Sequence, residues 1–247
     1  MPNSYFQFKQ FVIHQDKCAM KVTTDGCLFG AWAANAVGSQ KSAIATVLDI
    51  GTGTGLLSLM LTQKNSTVTI DAVEIDKDAA EQADENVKKS PWFDRIQVNN
   101  IDVNKLSNKT NYDLIISNPP FYENELKSSF TNKNVAHHSN ELTLENLLNF
   151  IRHNLSPGGI FMLLLPYKRH EEIKKLIFEA ELAIKEITFV RQSTNHDFFR
   201  IMLIGNLSKQ NESELEFSEL SIKSTNLLNA NYTLEFKSLM KDYYLHL

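Results

Sequence analysis

The tetrapeptide Asn118-Pro119-Pro120-Phe121 directly follows the apolar run Tyr112-Asp113-Leu114-Ile115-Ile116-Ser117. Those residue types in that order can present a planar amine for alkylation. An exocyclic ring amine is a poor nucleophile, because its lone pair is delocalised into the ring. The Asn118 side-chain oxygen and the Pro119 carbonyl can each accept one of its N–H bonds, which draws the nitrogen toward tetrahedral geometry and aims its lone pair. Pro119 and Pro120 restrict the backbone so that both acceptors are preset, and orientation is then the catalytic resource. Phe121 offers a face on which the ring can stack, worth about 1–3 kcal/mol for a base. Positive charge building on the nitrogen meets two fixed oxygens, so no dedicated general base is required. Asn-Pro also begins ordinary turns, so the weight of this motif depends on what stands beside it.

Beside it stands Gly51-Thr52-Gly53-Thr54-Gly55, at the end of another apolar run. Glycine has no Cβ and lets backbone approach a ligand closely. The spacing is G-x-G-x-G, not the G-x-G-x-x-G of a dinucleotide binder, and it favours S-adenosyl-L-methionine (AdoMet), which has no pyrophosphate to place. Glu74, 23 residues beyond Gly51, ends the next strand and can accept hydrogen bonds from ribose hydroxyls. Asp102 lies just past a third strand, within reach of an adenine amine. The three features end successive strands, where open α/β sheets bind ligands. The two motifs together predict methyl transfer from AdoMet to a planar amine.

The rest of the chain must position these groups. Short β-branched and aliphatic runs at 47–50, 68–73, 95–98, 113–117, 160–165, 187–190 and 201–204 read as strands, and 56–61, 76–89, 142–155 and 169–183 read as helices. Asp76 is placed to cap its helix, and Ser90-Pro91 to stop it. Strands alternating with helices imply an α/β fold, a Rossmann-like sheet of seven mostly parallel strands with helices on both faces. The stretch from Ser208 is polar until Tyr232, and the spaced aromatics after it predict a short terminal helix. One methyltransferase domain over 1–247 is expected, with 1–45 as a cap over the site, 46–207 as the core and 208–247 as an extension.

Composition narrows the setting. Hydrophobic residues make up 43% of 247, enough for a core. No apolar run reaches the roughly 20 residues a membrane crossing needs, and the first residues lack the pattern of a secretory signal. Cys18 and Cys27 suggest neither a disulfide framework nor a zinc site, so a cytoplasmic protein without a metal is expected. The net charge of −4 argues against sequence-independent coating of nucleic acid, though a local basic patch can act within an acidic whole.

At this point the chain resembles a family, the bacterial tRNA methyltransferases that modify the N6 amine of adenine 37 in a valine tRNA. The resemblance rests on Phe8-Lys9-Gln10-Phe11, His14, Asp16-Lys17-Cys18-Ala19-Met20-Lys21-Val22, Thr24-Asp25-Gly26 and Gly30-Ala31-Trp32-Ala33 near the start. It continues in Leu48-Asp49-Ile50-Gly51-Thr52-Gly53-Thr54-Gly55-Leu56-Leu57, Asp71-Ala72-Val73-Glu74, Ser90-Pro91-Trp92 and Arg95-Ile96, and ends in Tyr232-Thr233 and Asp242-Tyr243-Tyr244-Leu245. It implies a tRNA substrate, AdoMet as cofactor and a monomer. By resemblance the cofactor set is Asp49, Gly51, Thr52, Gly53, Gly55, Glu74 and Asp102, with Lys21 and Asp25 near its methionine end. The acceptor set is Asn118, Pro119, Pro120 and Phe121, with Phe121 where the family usually has Tyr.

Lys9, Lys17, Lys21, Lys168, Arg169 and Arg191 are candidate RNA contacts, although residues of these types are more often solvated surface charges. His137-His138 could guide RNA or be plain loop residues; adjacent side chains diverge, so they do not read as a metal pair. Other acceptors remain open: a protein glutamine amide, or adenine in DNA or ribosomal RNA. Glutamine methyltransferases carry a larger N-terminal helical domain, and DNA enzymes an inserted recognition domain. Neither is evident in the sequence.

Overall fold

Successive residues of a strand face opposite sides of a sheet, and the central strands use this to feed two cores. Val47, Leu114 and Ile116 enter one; Leu48, Ile50 and Ile115 enter the other. Strands buried on both faces belong to a sheet that helices cover on both sides.

The computed structural model describes residues 3–40, 43–106, 111–119, 142–207, 215–224 and 231–247. In chain order its elements are β1 (Tyr5–Gln7), β2 (Val12–His14), α1 (Thr24–Ser39), β3 (Thr46–Ile50), α2 (Leu56–Lys64), β4 (Thr69–Glu74), α3 (Lys77–Lys88), β5 (Ile96–Asn100), β6 (Tyr112–Ser117), α4 (Leu144–Asn154), β7 (Leu155–Pro166), α5 (His170–Glu179), β8 (Ala183–Ser193), β9 (Phe198–Asn206), β10 (Glu216–Lys223) and α6 (Leu234–Met240). β1 and β2 form a separate antiparallel hairpin, and the main sheet runs β10-β8-β9-β7-β6-β3-β4-β5. β9 is antiparallel to both neighbours, while the other pairs are parallel. Buried residues of α1, α2 and α6 pack in the core with Val47, and those of α4 and α5 in the core with Leu48.

The main sheet therefore has eight strands among the described residues, not the seven expected. The addition is β10, from a stretch that reads as polar. An edge strand needs little apolar surface: only Leu220 and Ile222 of β10 are buried, and a hydroxyl pair, Thr188 with Ser218 at 2.8 Å, helps join it to β8. The helix α1 also escapes periodicity, because Gly26, Gly30, Ala31, Ala33 and Ala34 are buried around it and leave no polar stripe to contrast. At Gly30 a Cβ would lie 2.6 Å from the Met60 sulfur of α2.

The ends of the chain meet on one side of α2. Phe8 bridges to Tyr244, and the buried Tyr243 donates its hydroxyl to the Met60 carbonyl at 2.9 Å. The predicted cap is present: the Asp76 side chain accepts from Ala79 N at 2.8 Å.

Candidate active site

The strand register lines up the groups singled out by sequence. Ile50 pairs with Val73 on one side and with Ser117 on the other, and Glu74 pairs with Asn100. Asp102, Glu74, the glycine loop and Asn118 thus follow one another along the carboxyl edge of β5, β4, β3 and β6. From β3 the chain winds outward to β4 and β5, then crosses back to β6 and β7. Such a reversal of strand order opens the crevice where α/β sheets take ligands. Ser117 Oγ donates to the Ile50 carbonyl at 2.8 Å, pinning the end of β6 to that of β3.

The glycine loop turns through left-handed backbone, with φ of 69° at Gly51, 55° at Gly53 and 82° at Gly55. A side chain at Gly51 would be strained there, and a Cβ built on it meets nothing within 4 Å, so open space lies over the loop. Gly51 N and Thr52 N donate to the Val73 carbonyl at 2.9 and 3.1 Å. Gly53 N donates to Glu74 Oε2 at 2.9 Å, and Asp76 N to Glu74 Oε1 at 3.0 Å. Glu74 is held by backbone on both oxygens, and each retains capacity for a second donor.

Asp49 is fully buried below this loop. Its Oδ2 accepts from Thr52 Oγ1 and Ser58 Oγ, both at 2.7 Å, and its Oδ1 has no hydrogen-bond partner among the described residues. Burial pushes its carboxyl up to about 6, against the lowering effect of the two hydroxyls. An orphaned buried carboxylate oxygen, a backbone cradle with space above it and a fixed acid on the neighbouring strand suit a ligand with a cationic head and a diol, as AdoMet is. Asp102 caps the short turn Val103–Lys105, its Oδ1 accepting from Asn104 N at 2.9 Å.

Asn118 is half-buried and Pro119 buried. The Asn118 side chain lies against the first turn of α1: a Cβ on Gly26 would sit 3.9 Å from its Nδ2. Pro120, Phe121, His137 and His138 lie outside the described residues.

Lys21 and Asp25 are both engaged by protein. The Lys21 ammonium donates to the carbonyls of Gln15 and Cys18. Asp25 pairs with Arg200, whose Nε reaches Oδ2 at 2.8 Å. Burial resists ionisation of Asp25, but hydrogen bonds from Arg200 and Thr23 outweigh it and hold the carboxyl below its usual range. Sequence reading missed Arg200; its only signal is a cation beside the apolar run of β9. Of the candidate RNA contacts, Lys9 donates to the Lys241 carbonyl, Lys17 pairs with Glu85, Arg169 with Glu172, and Arg191 with Glu219 while lying over the Phe198 ring. Both cysteines are free and buried. Burial, then the nearby Glu74, pushes the Cys18 thiol up to about 11, and burial pushes that of Cys27 up to about 12. Among the described residues no group of three His, Cys, Asp or Glu could hold a metal, and no helix is long and apolar enough to cross a membrane.

Comparison with known proteins gives the family and the fold. The family model described as methyltransferase small domain matches residues 37–176. A Parabacteroides distasonis protein named tRNA1(Val) (adenine(37)-N6)-methyltransferase is 39% identical over 247 residues, covering 99% of each chain. Among solved structures, a predicted O-methyltransferase from Agrobacterium tumefaciens superposes with a TM-score of 0.65 at 16% identity, over 88% of this chain and 96% of that one. A glycopeptide N-methyltransferase solved with S-adenosyl-L-methionine gives a TM-score of 0.54 at 11% identity, over 72% and 94%. At those identities the two structures speak to the fold alone.

Proposed function

We propose that this chain, which belongs to the methyltransferase small-domain family and to the bacterial tRNA1(Val) (adenine(37)-N6)-methyltransferases, moves a methyl group from AdoMet to the N6 amine of adenine 37 in a valine tRNA. The observation that carries the reading is the register pair Ile50 and Ser117, which sets the glycine loop and Asn118 side by side.

When bound, AdoMet supplies an electrophilic methyl on a positively charged sulfur. Glu74 accepts the ribose hydroxyls, Asp102 the adenine amine, and Asp49 lends negative charge beneath Gly51, Thr52, Gly53 and Gly55. Lys21 and Asp25 act on the methionine end through the backbone they hold in place. Asn118 and Pro119 accept the two N–H bonds of the target amine and turn its lone pair toward the methyl, with Pro120 stiffening the turn and Phe121 stacking on the base. Two fixed acceptors cost no reorganisation as charge develops. The target adenine enters unpaired or flipped, since its amine is otherwise inside a helix. The chain works as a single domain, monomeric and cytoplasmic, with 1–45 over the site and 208–247 as an extension.

The test is transfer to an unmodified valine tRNA transcript, read by mass spectrometry of digested nucleosides. N6-methyladenosine is expected, and none from a transcript with guanosine at position 37. Protein that binds AdoMet yet methylates no adenosine in tRNA would overturn the proposal and point to a protein amide instead.

A further inference from the structure

Two buried amides on α3 face the site from below and play no part in the reaction as described. Gln82 and Asn86 are each 1% exposed, and their spacing puts them on one side of the helix. Asn86 uses three bonds. Its Oδ1 accepts from His14 N at 2.9 Å, and its Nδ2 donates to the His14 carbonyl at 2.8 Å and to the Thr54 carbonyl at 2.9 Å. One turn earlier, Gln82 Oε1 accepts from Lys17 N at 3.2 Å. Between them Ala83 packs on the same loop, since a Cβ on Gly55 would lie 3.7 Å from Ala83 Cα and Cβ.

The segment so gripped carries Cys18. It runs from His14 to Val22 and is braced internally by Gln15, which accepts from Val22 N at 2.8 Å and donates to the Asn3 carbonyl at 2.9 Å. Lys21 closes it by donating to the Gln15 and Cys18 carbonyls. The Cys18 thiol feels the Glu74 carboxylate. The polar valences of Asn86 therefore join three pieces: the helix that follows Glu74, the glycine loop, and the segment leading into α1 and Asp25. The pair of hydrogen bonds to the His14 backbone N–H and carbonyl is the pattern of a strand neighbour, supplied by a side chain.

We propose that Asn86, assisted by Gln82, is a positioning residue that couples the glycine loop to the 14–22 segment and so sets cofactor affinity. The inference rests on the reading that this loop and Glu74 hold AdoMet. Loss of the clamp leaves the loop to be ordered by the ligand itself, so binding weakens while chemistry at saturating cofactor is spared.

The experiment compares wild type with Asn86→Ala, Asn86→Asp and Gln82→Ala. Titration calorimetry with S-adenosylhomocysteine gives affinity, hydrogen exchange gives the order of residues 8–22, and kinetics separates KM for AdoMet from kcat. Asn86→Ala is expected to raise Kd and KM about tenfold or more with kcat nearly unchanged, and to speed exchange at His14. Asn86→Asp keeps the acceptor for His14 N and loses both donations, and should show the same direction. Gln82→Ala frees only Lys17 N and should give a smaller rise; it decides the matter if Asn86 variants fail to fold. A lower melting temperature with wild-type Kd and KM in the folded variants would make these residues merely structural and overturn the inference. Wild type that binds the ligand but methylates no tRNA leaves the inference standing; wild type that binds none removes it along with the cofactor reading.

Discussion

Arg200 donates from Nε to Asp25 Oδ2 across 2.8 Å, joining β9 to the first turn of α1 over 175 positions of sequence. That turn also carries Gly26, against which Asn118 lies. The pair therefore holds α1 at the edge of the proposed acceptor pocket. Asp25 keeps 14% of its side chain exposed and Arg200 33%, so this is neither a surface pair nor a fully buried one.

Arg200→Ala should be more harmful than a surface charge deletion, because it strands a carboxylate that cannot reach water freely. Removing one partner of a buried pair costs about 3–5 kcal/mol, while exposed pairs contribute about 1 or less. The partial exposure of Arg200 places the expected loss between these, at about 1–3 kcal/mol by urea unfolding. Arg200→Ala with Asp25→Ala should cost less than the sum of the single changes. Because the Asp25 carboxyl titrates low when folded, the contribution is present above the normal aspartate range and is lost as pH falls through it. Additive losses in the cycle would show that the contact contributes nothing.

Asp49 should give the opposite pH signature. Its carboxyl is raised to about 6 when folded, so the folded state takes up a proton before the unfolded chain does. Stability then falls as pH rises from the ordinary aspartate range through about 6, by about 3 kcal/mol in all at ~1.4 kcal/mol per unit. Asp49→Asn should flatten that dependence in thermal unfolding. It should also weaken AdoMet binding at pH 8 while leaving affinity near pH 5 little changed, since wild-type Asp49 is itself neutral there. Equal Kd at pH 8 for both proteins would remove Asp49 from the cofactor site.

Gly51→Ala should separate strain from occlusion. The residue stands at φ 69°, so an Ala is expected to cost about 1 kcal/mol or more in stability. Its Cβ would enter the open space over the loop, and the loss of cofactor affinity should exceed what the stability loss accounts for. Calorimetry at a temperature where the variant remains folded makes the comparison, and unchanged affinity would place the cofactor elsewhere.

The strands that carry the site were readable because their chemistry is local. Runs such as 47–50 and 113–117 are largely apolar on both faces and stop at the glycine loop and at Asn118-Pro119, where positive φ and a missing backbone N–H end a strand. What was not readable depends on contacts across the chain. Arg200 finds its acid 175 positions away, and Asn86 sits in a helix whose Ala, Glu, Gln and Lys composition marks it only as helical. α1 takes its order from burial against α2 and α6, and β2 of the N-terminal hairpin from packing on α3, which no local period announces. β10 is mostly polar, as a solvated tail is, and only its pairing with β8 distinguishes the two.

Asn118 offers the most direct test of the chemistry. Asn118→Ala removes a side-chain acceptor and leaves the glycine loop, Glu74 and the Ser117 bond to Ile50 in place. Cofactor affinity should be unchanged, while the single-turnover rate of methyl transfer should fall about 10²–10³-fold, as for loss of one preorganised electrostatic partner. Asn118→Asp retains an oxygen of similar reach and adds a negative charge where positive charge develops, so it should keep more activity than Asn118→Ala. If Asn118→Ala and wild type methylate equally fast at saturating AdoMet and tRNA, the amine is not oriented by this side chain. If Asn118→Ala instead loses AdoMet binding, then the side chain, which lies within reach of α1, supports the cofactor rather than the acceptor. The rate and the Kd, measured on the same preparation, tell these apart.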